Sequence, residues 1–469
     1  MSAYLHASCD RAVAQGAKCT ATVGHPAGVL AVTILASSLA FIDGSVVNVG
    51  LPAIGASLKA GASELQWVIN AYLLPLSALL LLGGAAGDRF GRRRYLNVGI
   101  AVFAVFSVVC AVAPDGNLLL LGRVMQGLGA ALLLPNSLAI LGQCFSGEAK
   151  GRAVGTWAAA GAIAGVIGPL LGGWLIDLGS WRAIFLINLP LAAGAMVLAR
   201  WFVPPDPASH GEAVDVAGGL LATVGLGSLT WALTLGSGPT GWKAAALAGV
   251  GLASMALIGF VTLESRRGER AMMPLSLFAT SPFVGLNLLT LFLYGALGAL
   301  LVLVPYFLIE AGGYSAVAAA AALIPLPITL ALLSPLAGSL AGRTGARALL
   351  ASGPLVVAVG FILAVRIGVG SSYWTHVLPA ILVISVGMAA AVAPLTTAVL
   401  SSVSASRTGV ASGFNSAVAR AGGLFATALL GSVFAAHGPA LVTEFHTALI
   451  ACGIGCLVAS ASALLVGRA

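Results

Sequence analysis

Runs of roughly 20 apolar residues recur along the 469-residue chain from Val29 to its end, each long enough for an α-helix to cross about 30 Å of hydrocarbon. About fourteen such runs satisfy that length rule. Inside a bilayer every backbone N–H and C=O must be satisfied within the spanning structure, so only helices and closed barrels qualify. Barrel strands alternate apolar and polar residues, whereas these runs are uniformly apolar and rich in Gly and Ala. The sequence therefore predicts an all-α polytopic membrane protein. Composition agrees: 59% of residues are hydrophobic and 8% charged, against about 25% charged in soluble domains.

The few charges define topology. The run GDRFGRRR, residues 87–94, stands between two apolar stretches and belongs in water beside the membrane. Placing it inside, with the N-terminus, puts Lys59, Arg182, Lys243 and Arg366 outside and Arg123 and Arg420 within helices. All other Lys and Arg then fall on the cytoplasmic side, as the positive-inside rule requires, and an even number of helices returns the C-terminus there. The net charge of +8 is thus accounted for by topology, and no loop is long enough to form a nucleic-acid surface. Residues 1–27 read as a disordered cytoplasmic tail, without the apolar core of a secretory signal. Cys452 and Cys456 share a helix face but lack a nearby His or carboxylate at ligand spacing, which favours packing over metal binding. No cofactor or metal is expected.

A faint internal repeat organises the chain. GDRFGRR at 87–93, after the second apolar run, aligns with AGRTGAR at 341–347, after the tenth, matching Arg89, Gly91 and Arg93 to Arg343, Gly345 and Arg347. Parallel repeats of this kind build transporters whose halves rock about a site near the membrane midplane. The expected divisions are the tail, a six-helix bundle at 28–203, linkers and an inserted helix pair at 204–274, and a second six-helix bundle at 275–469.

At this point four ordered motifs resemble the major facilitator superfamily, in its fourteen-helix drug:proton antiporter branch. They are FIDGSVVNVGLPAI at 41–54, GGAAGDRFGRRR at 83–94, LGRVMQGLGAALLLPNSLAIL at 121–141 and GAIAGVIGPLLGGWL at 161–175. WRAIFLINLP at 181–190 and ASGFNSAVARAGG at 411–423 add to the likeness, which covers nearly all residues past 28. It implies the major facilitator fold, two six-helix bundles plus two inserted helices, and a proton-coupled exporter of small amphipathic molecules working by alternating access. A monomer in the cell membrane is implied, with a small-molecule substrate, the lipid bilayer as its surroundings and the proton as coupling ion. An uptake symporter and a non-transporting receptor on the same scaffold remain open alternatives. H-E-x-x-H, G-x-S-x-G and P-loop motifs are missing, which argues against an embedded enzyme.

Each motif also has its own physical reading. Asp43 is a carboxylate in an apolar helix, a costly placement that usually marks function; it either carries protons or only hydrogen-bonds Asn48 or a neighbouring helix. Arg123, assigned to proton coupling by the resemblance, either faces Asp43 or snorkels outward from a position close to Asp115 and Asn117. In the second motif Gly87 and Gly91 allow a tight turn. Asp88 can accept hydrogen bonds at a helix N-terminus, while Arg92 and Arg93 can bind carboxylates or carbonyls on the facing half. With Gly84 and Arg89 they form, by resemblance, a cytoplasmic latch that holds the outward-open state.

In the fifth helix, Gly161, Gly165, Gly168, Gly172 and Gly173 are expected to share a close-packing face, and Pro169 removes one backbone hydrogen bond. The resemblance packs that face against the opposite half. Asn48, Gln126, Asn136, Tyr294, Asn415 and Arg420 are the candidates for a substrate cavity, Arg420 either facing an anionic substrate group or holding helix carbonyls. Beyond Asp43, only Glu64 and Glu310, near outer helix ends, offer carboxylates to such a cavity, and helices 10 to 14 offer none within their spans. Selectivity for dications is therefore not expected.

Overall fold

The computed structural model describes residues 25–205, 215–238, 241–268, 273–403 and 408–466. Most of the expected tail and the middle of the linker at 204–215 lie outside the described residues. Among these residues every regular element is helical, and fourteen helices are long and apolar enough to span a bilayer. The first half comprises α1 (Pro26–Leu58), α2 (Ala62–Phe90), α3 (Arg92–Val112), α4 (Gly116–Cys144), α5 (Ala149–Asp177) and α6 (Ala183–Phe202). The inserted pair is α7 (Val216–Ser237) and α8 (Ala244–Arg267). The second half contains α9 (Ser281–Glu310), α10 (Ala316–Arg343), α11 (Ala346–Ala364), α12 (Tyr373–Ser401), α13 (Val410–Ala435) and α14 (Pro439–Leu465).

Several helices outrun the apolar segments that predict them. The apolar reading ends α1 near Gly50, yet it continues through Pro52 to Leu58 and stops where Lys59 adopts φ 53. Hydropathy marks only the hydrocarbon-facing part, whereas the helix persists until a residue leaves helical φ/ψ. Long apolar side chains stay exposed on the outward faces, among them Val105, Val112, Met255, Leu332 and Ile362. A soluble fold would bury them; in a bilayer the exterior is as apolar as the core.

The two halves repeat one neighbour pattern. Helix α1 packs on α5 and α6 as α9 packs on α13 and α14, and the α3–α4 pair recurs as α11–α12. The short sequence echo lands on equivalent turns, where Gly91 at φ 107 and Gly345 at φ 86 join consecutive helices in a conformation L side chains rarely adopt. Beyond those turns Arg93 donates to the Arg200 carbonyl at 3.0 Å, closing α3 onto the end of α6. Arg347 does the same to Leu464 at 3.2 Å, at the end of α14.

The inserted pair is more deeply engaged than its position between the repeats suggests. Helix α7 packs against α2 from one half and α13 from the other, and α8 packs on α7. Ser237 at the end of α7 donates to the Ala428 carbonyl at 2.8 Å. At the opposite end Asp215 caps α7 through the Gly218 N–H at 2.7 Å and pairs with Arg267. Burial opposes ionisation of Asp215, but the Gly218 N–H, Glu264 and Arg267 outweigh it and hold its carboxyl below the usual carboxylate range. Glu264 accepts from the Met273 N–H at 2.6 Å and so ties α8 to the start of the second half.

Candidate functional site

The costliest groups in the membrane converge on one point inside the first half. Asp43, near the middle of α1, has no exposed surface, and Arg123, two turns into α4, is 1% exposed. Arg123 Nη1 donates to Asp43 Oδ2 in a buried ion pair. Its Nε donates to the Val68 carbonyl at 3.0 Å, and Nη1 also reaches Gln126 Oε1 at 2.9 Å. The guanidinium lies 4.5 Å from the Tyr72 ring centroid and 5.8 Å from that of Phe185, close enough for cation–π attraction in a desolvated site. Snorkelling is thereby excluded, since the side chain turns inward to a carboxylate.

A second layer of amides orients the carboxylate. Asn188 Nδ2 donates to Asp43 Oδ1 at 3.0 Å, and Gln126 Nε2 approaches the same oxygen at 3.3 Å. Both amides also donate to Ser107 Oγ, at 3.2 and 2.8 Å, and the Ser107 hydroxyl donates in turn to the Phe103 carbonyl at 2.8 Å. Tyr72 donates to the Ala40 carbonyl at 3.0 Å, fixing the ring under Arg123. The close packing depends on Gly127, where a Cβ would collide with the Tyr72 carbonyl and the Pro75 ring. Five helices, α1, α2, α3, α4 and α6, thus supply one charge-neutral, hydrogen-bonded knot. A buried ion pair survives in low dielectric only when its remaining lone pairs and protons are satisfied in this way.

The sequence-predicted cavity residues separate into two groups. Gln126 belongs to the Asp43 knot. Asn136 is fully buried and donates to the Gly83 and Leu132 carbonyls at 3.0 and 2.7 Å, wedged where α2 presents Gly87, so it joins α2 to α4 and lines no cavity. Asn48 is buried on α1 and is not a partner of Asp43. By contrast Tyr294, Asn415 and Arg420 meet around a cavity of about 340 Å³ between α9, α12 and α13, joined by Thr396, Ser412 and Ser416. All these lining residues lie in the second half, so the carboxylate and the cavity do not share one open space in this conformation.

The latch and the glycine-rich helix also depart from expectation. Asp88 lies in the last turn of α2, not at a helix N-terminus, and accepts from Arg92 Nε at 2.7 Å across the Gly91 turn. Arg92 Nη1 donates to the Ala139 carbonyl at 3.1 Å, a bond within the first half. Arg89 stacks 5.3 Å from the Phe90 ring centroid, and Gly84 lies against Pro135. In α5, Gly161, Gly168 and Gly172 face Phe41, Ser45 and Val46 of α1, in the same half. Gly165 meets nothing within 4 Å, and only Gly173 touches the opposite half, against Ala316 and Val317. The reason is angular: at about 100° per residue, Gly173 points away from the face shared by the other four.

Among the described residues, hydrogen bonds between the halves gather at the end that the charge bias assigns to the exterior. Asp177, closing α5, accepts from the Ala316 and Val317 N–H groups at 3.2 Å each, capping the first turn of α10. Gln66 donates to the Thr427 and Ala428 carbonyls at 3.2 and 2.9 Å, and Thr427 donates to Asn70 at 2.6 Å. Those carbonyls are available because α13 breaks after Ala428 and resumes at Gly431. Sequence reading missed Gln66, Asn70, Asp177, Ser107 and Asn188. The signal for four of them was a polar side chain within an apolar run, and for Asp177 a carboxylate at a helix end. Asp177→Ala removes a charge-assisted contact worth roughly 1.5 kcal/mol, so about a ten-fold shift toward outward-open molecules is expected. Distances between spin labels on the outer ends of α5 and α10 will read it; an unchanged distribution refutes the role.

Comparison with known proteins fits this architecture. The family model described as Major Facilitator Superfamily matches residues 33–427. The chain is 33% identical over 410 residues to the multidrug resistance protein Stp of Mycobacterium tuberculosis, covering 86% of this chain and 76% of that protein. It is 31% identical to the methylenomycin A resistance protein of Bacillus subtilis, covering 86% and 87%. In fold it is similar to a bacterial homologue of the lysosomal transporter Spinster, captured inward-facing and unoccupied. That match has a TM-score of 0.66 at 18% identity, over 95% of this chain and 98% of that one. With its family model, its relatives and its fourteen candidate membrane helices in agreement, the chain belongs to the major facilitator superfamily.

Proposed function

We propose that this transporter exports small amphipathic organic molecules from the cell in exchange for protons, by alternating access between its two halves. The observation that carries the reading is the Asp43–Arg123 pair, a carboxylate buried to zero exposure and held by one cation and two amides. Protonating Asp43 cancels its charge and loosens its hold on Arg123, changing the electrostatics of five helices at once. Export as the direction is supported by relatives named for antibiotic and multidrug resistance, and by a relative named as an export protein for tetracenomycin C.

The geometry favours indirect competition over displacement at a shared surface. Asp43 is sealed within the first half and the cavity lies in the second, with the Tyr72 ring within electrostatic range of both Arg123 and Arg420. Proton and cargo then favour different arrangements of the halves, and each weakens the other by the same factor. The proton site would reach water only when the outer contacts at Asp177 and Gln66 part. The proposed topology, from the positive-inside rule, has both termini in the cytoplasm, and the cell membrane is the proposed location.

The test uses the full chain in proteoliposomes. An imposed pH gradient should drive uphill movement of compounds from a dye and antibiotic panel, and a protonophore should abolish it. Movement indifferent to the gradient would overturn proton coupling, and gradient-driven movement together with the proton would instead establish a symporter.

A further inference from the structure

We infer that the second-half cavity is an anion-recognition site, selecting cargo that carries an acidic oxygen group, such as a carboxylate, on a planar apolar body, with Arg420 as its counter-charge. This deepens the exporter reading and rests on it only for the claim that the bound molecule is then moved.

The inference begins with charge balance. Arg420 lines the cavity from α13 and is half-buried, yet among the described residues nothing donates to it, accepts from it or pairs with it. The contrast with Arg123 is direct, because that guanidinium is consumed by Asp43, Val68 and Gln126. The second-half helices around the cavity supply no carboxylate to neutralise Arg420 either. From Ala311 to Thr443 the sequence contains no Asp or Glu, so α10, α11, α12 and α13 carry no carboxylate. Glu310 sits at the outer end of α9, far from the Ser412 end of the cavity. A cation within a membrane helix is expensive and ordinarily faces a partner or a pathway. Here the partner has to come from outside the protein.

The surroundings suit an oxygen acid. Ser412, Ser416 and Arg420 follow one another at four-residue steps on α13, so two hydroxyls and a guanidinium form one stripe facing the cavity. Asn415 is adjacent, lies 2.7 Å from the Thr290 hydroxyl, and brings two amide N–H donors to the cavity lining. Guanidinium groups bind carboxylates through two parallel N–H···O bonds. Tyr294 and Val399 supply apolar surface for the body of the molecule. A cationic cargo would meet uncompensated repulsion from Arg420 at this position, an element of rejection as well as of attraction.

The test compares three probes on one naphthalene body with the purified full chain in nanodiscs: 2-naphthoate, its planar neutral isostere 2-naphthamide, and the cation 2-naphthyltrimethylammonium. Equilibrium dialysis should show naphthoate bound at least ten-fold more tightly than the amide or the ammonium compound. Arg420→Gln should remove that preference, Arg420→Lys should retain most of it, and Asn415→Ala should weaken naphthoate several-fold while sparing the amide. Equal affinity for the three probes, no naphthoate binding, or a preference that survives Arg420→Gln would overturn the anion site. Monodisperse elution of Arg420→Lys alongside Arg420→Gln separates loss of charge from loss of fold. Whether the protein exports is read independently: naphthoate binding without gradient-driven movement would leave the anion site standing and overturn the exporter function.

Discussion

Asp43→Asn, reconstituted at wild-type abundance, is expected to lose uphill transport driven by a pH gradient while still exchanging the same compound down its own gradient. The amide keeps the shape of the carboxyl and can still accept from Arg123 through its oxygen, but it cannot be loaded and unloaded with a proton. The lost quantity is therefore the coupling between proton and cargo, on the order of 5- to 150-fold in accumulation for a coupling free energy of ordinary size. Downhill exchange survives because the contacts that tie the two halves, Asp177 to α10 and Gln66 to α13, do not involve Asp43. Paired measurements of uphill and downhill flux in one preparation decide it. Equal loss of both fluxes would make Asp43 a structural residue, and uphill flux at the wild-type level would remove it from the mechanism.

Arg123→Ala is expected to be the most destabilising single change at the site, costing about 3–5 kcal/mol, the range for deleting one partner of a buried ion pair. Its removal strips Asp43 of its counter-charge and leaves the Val68 carbonyl and Gln126 Oε1 without the donor they face. It also opens a void between the Tyr72 and Phe185 rings, which the guanidinium bridges. The double variant Asp43→Asn with Arg123→Gln should be less damaged than Arg123→Ala alone, since no lone charge stays buried and both amides can hydrogen-bond. Thermal unfolding in detergent of the two singles and the double gives the coupling energy between them. A melting temperature for Arg123→Ala indistinguishable from wild type would show that the pair holds nothing together.

In the proposed mechanism Asp43 and Arg420 divide the labour of the molecule between its halves. The first half pairs its two buried charges, Asp43 and Arg123, with each other, whereas α10 to α13 contain cations and no carboxylate. An ionisable switch has to be insulated from its surroundings except when it exchanges protons, and a recognition site has to keep its charge available. The same pattern of helix neighbours serves both ends because the fold fixes only where the helices run.

Much of this was legible in the linear chain. Apolar runs of spanning length fixed the number and type of elements, because hydrocarbon permits no other way of satisfying the backbone. The GDRFGRR echo identified equivalent turns, since a backbone at positive φ demands glycine and an inward-turning cation accompanies it in both copies. Asp43, Arg123 and Arg420 stood out because charges are rare in such a medium. Pairing was not legible. Whether Arg123 snorkels or turns inward depends on where α1 and α6 bring Asp43 and Asn188, residues 80 and 65 positions away in sequence. Asn136 and Gln126, similar polar residues on one helix, part into a packing wedge and a partner of the Asp43–Arg123 pair according to which neighbour each faces. Gly161, Gly168 and Gly172 of the fifth helix likewise needed the packed structure to show that they clasp α1. Hydropathy and motif spacing depend on each residue's own transfer cost and so survive in one dimension; partnership depends on the approach of distant helices, and only the tertiary structure decides it.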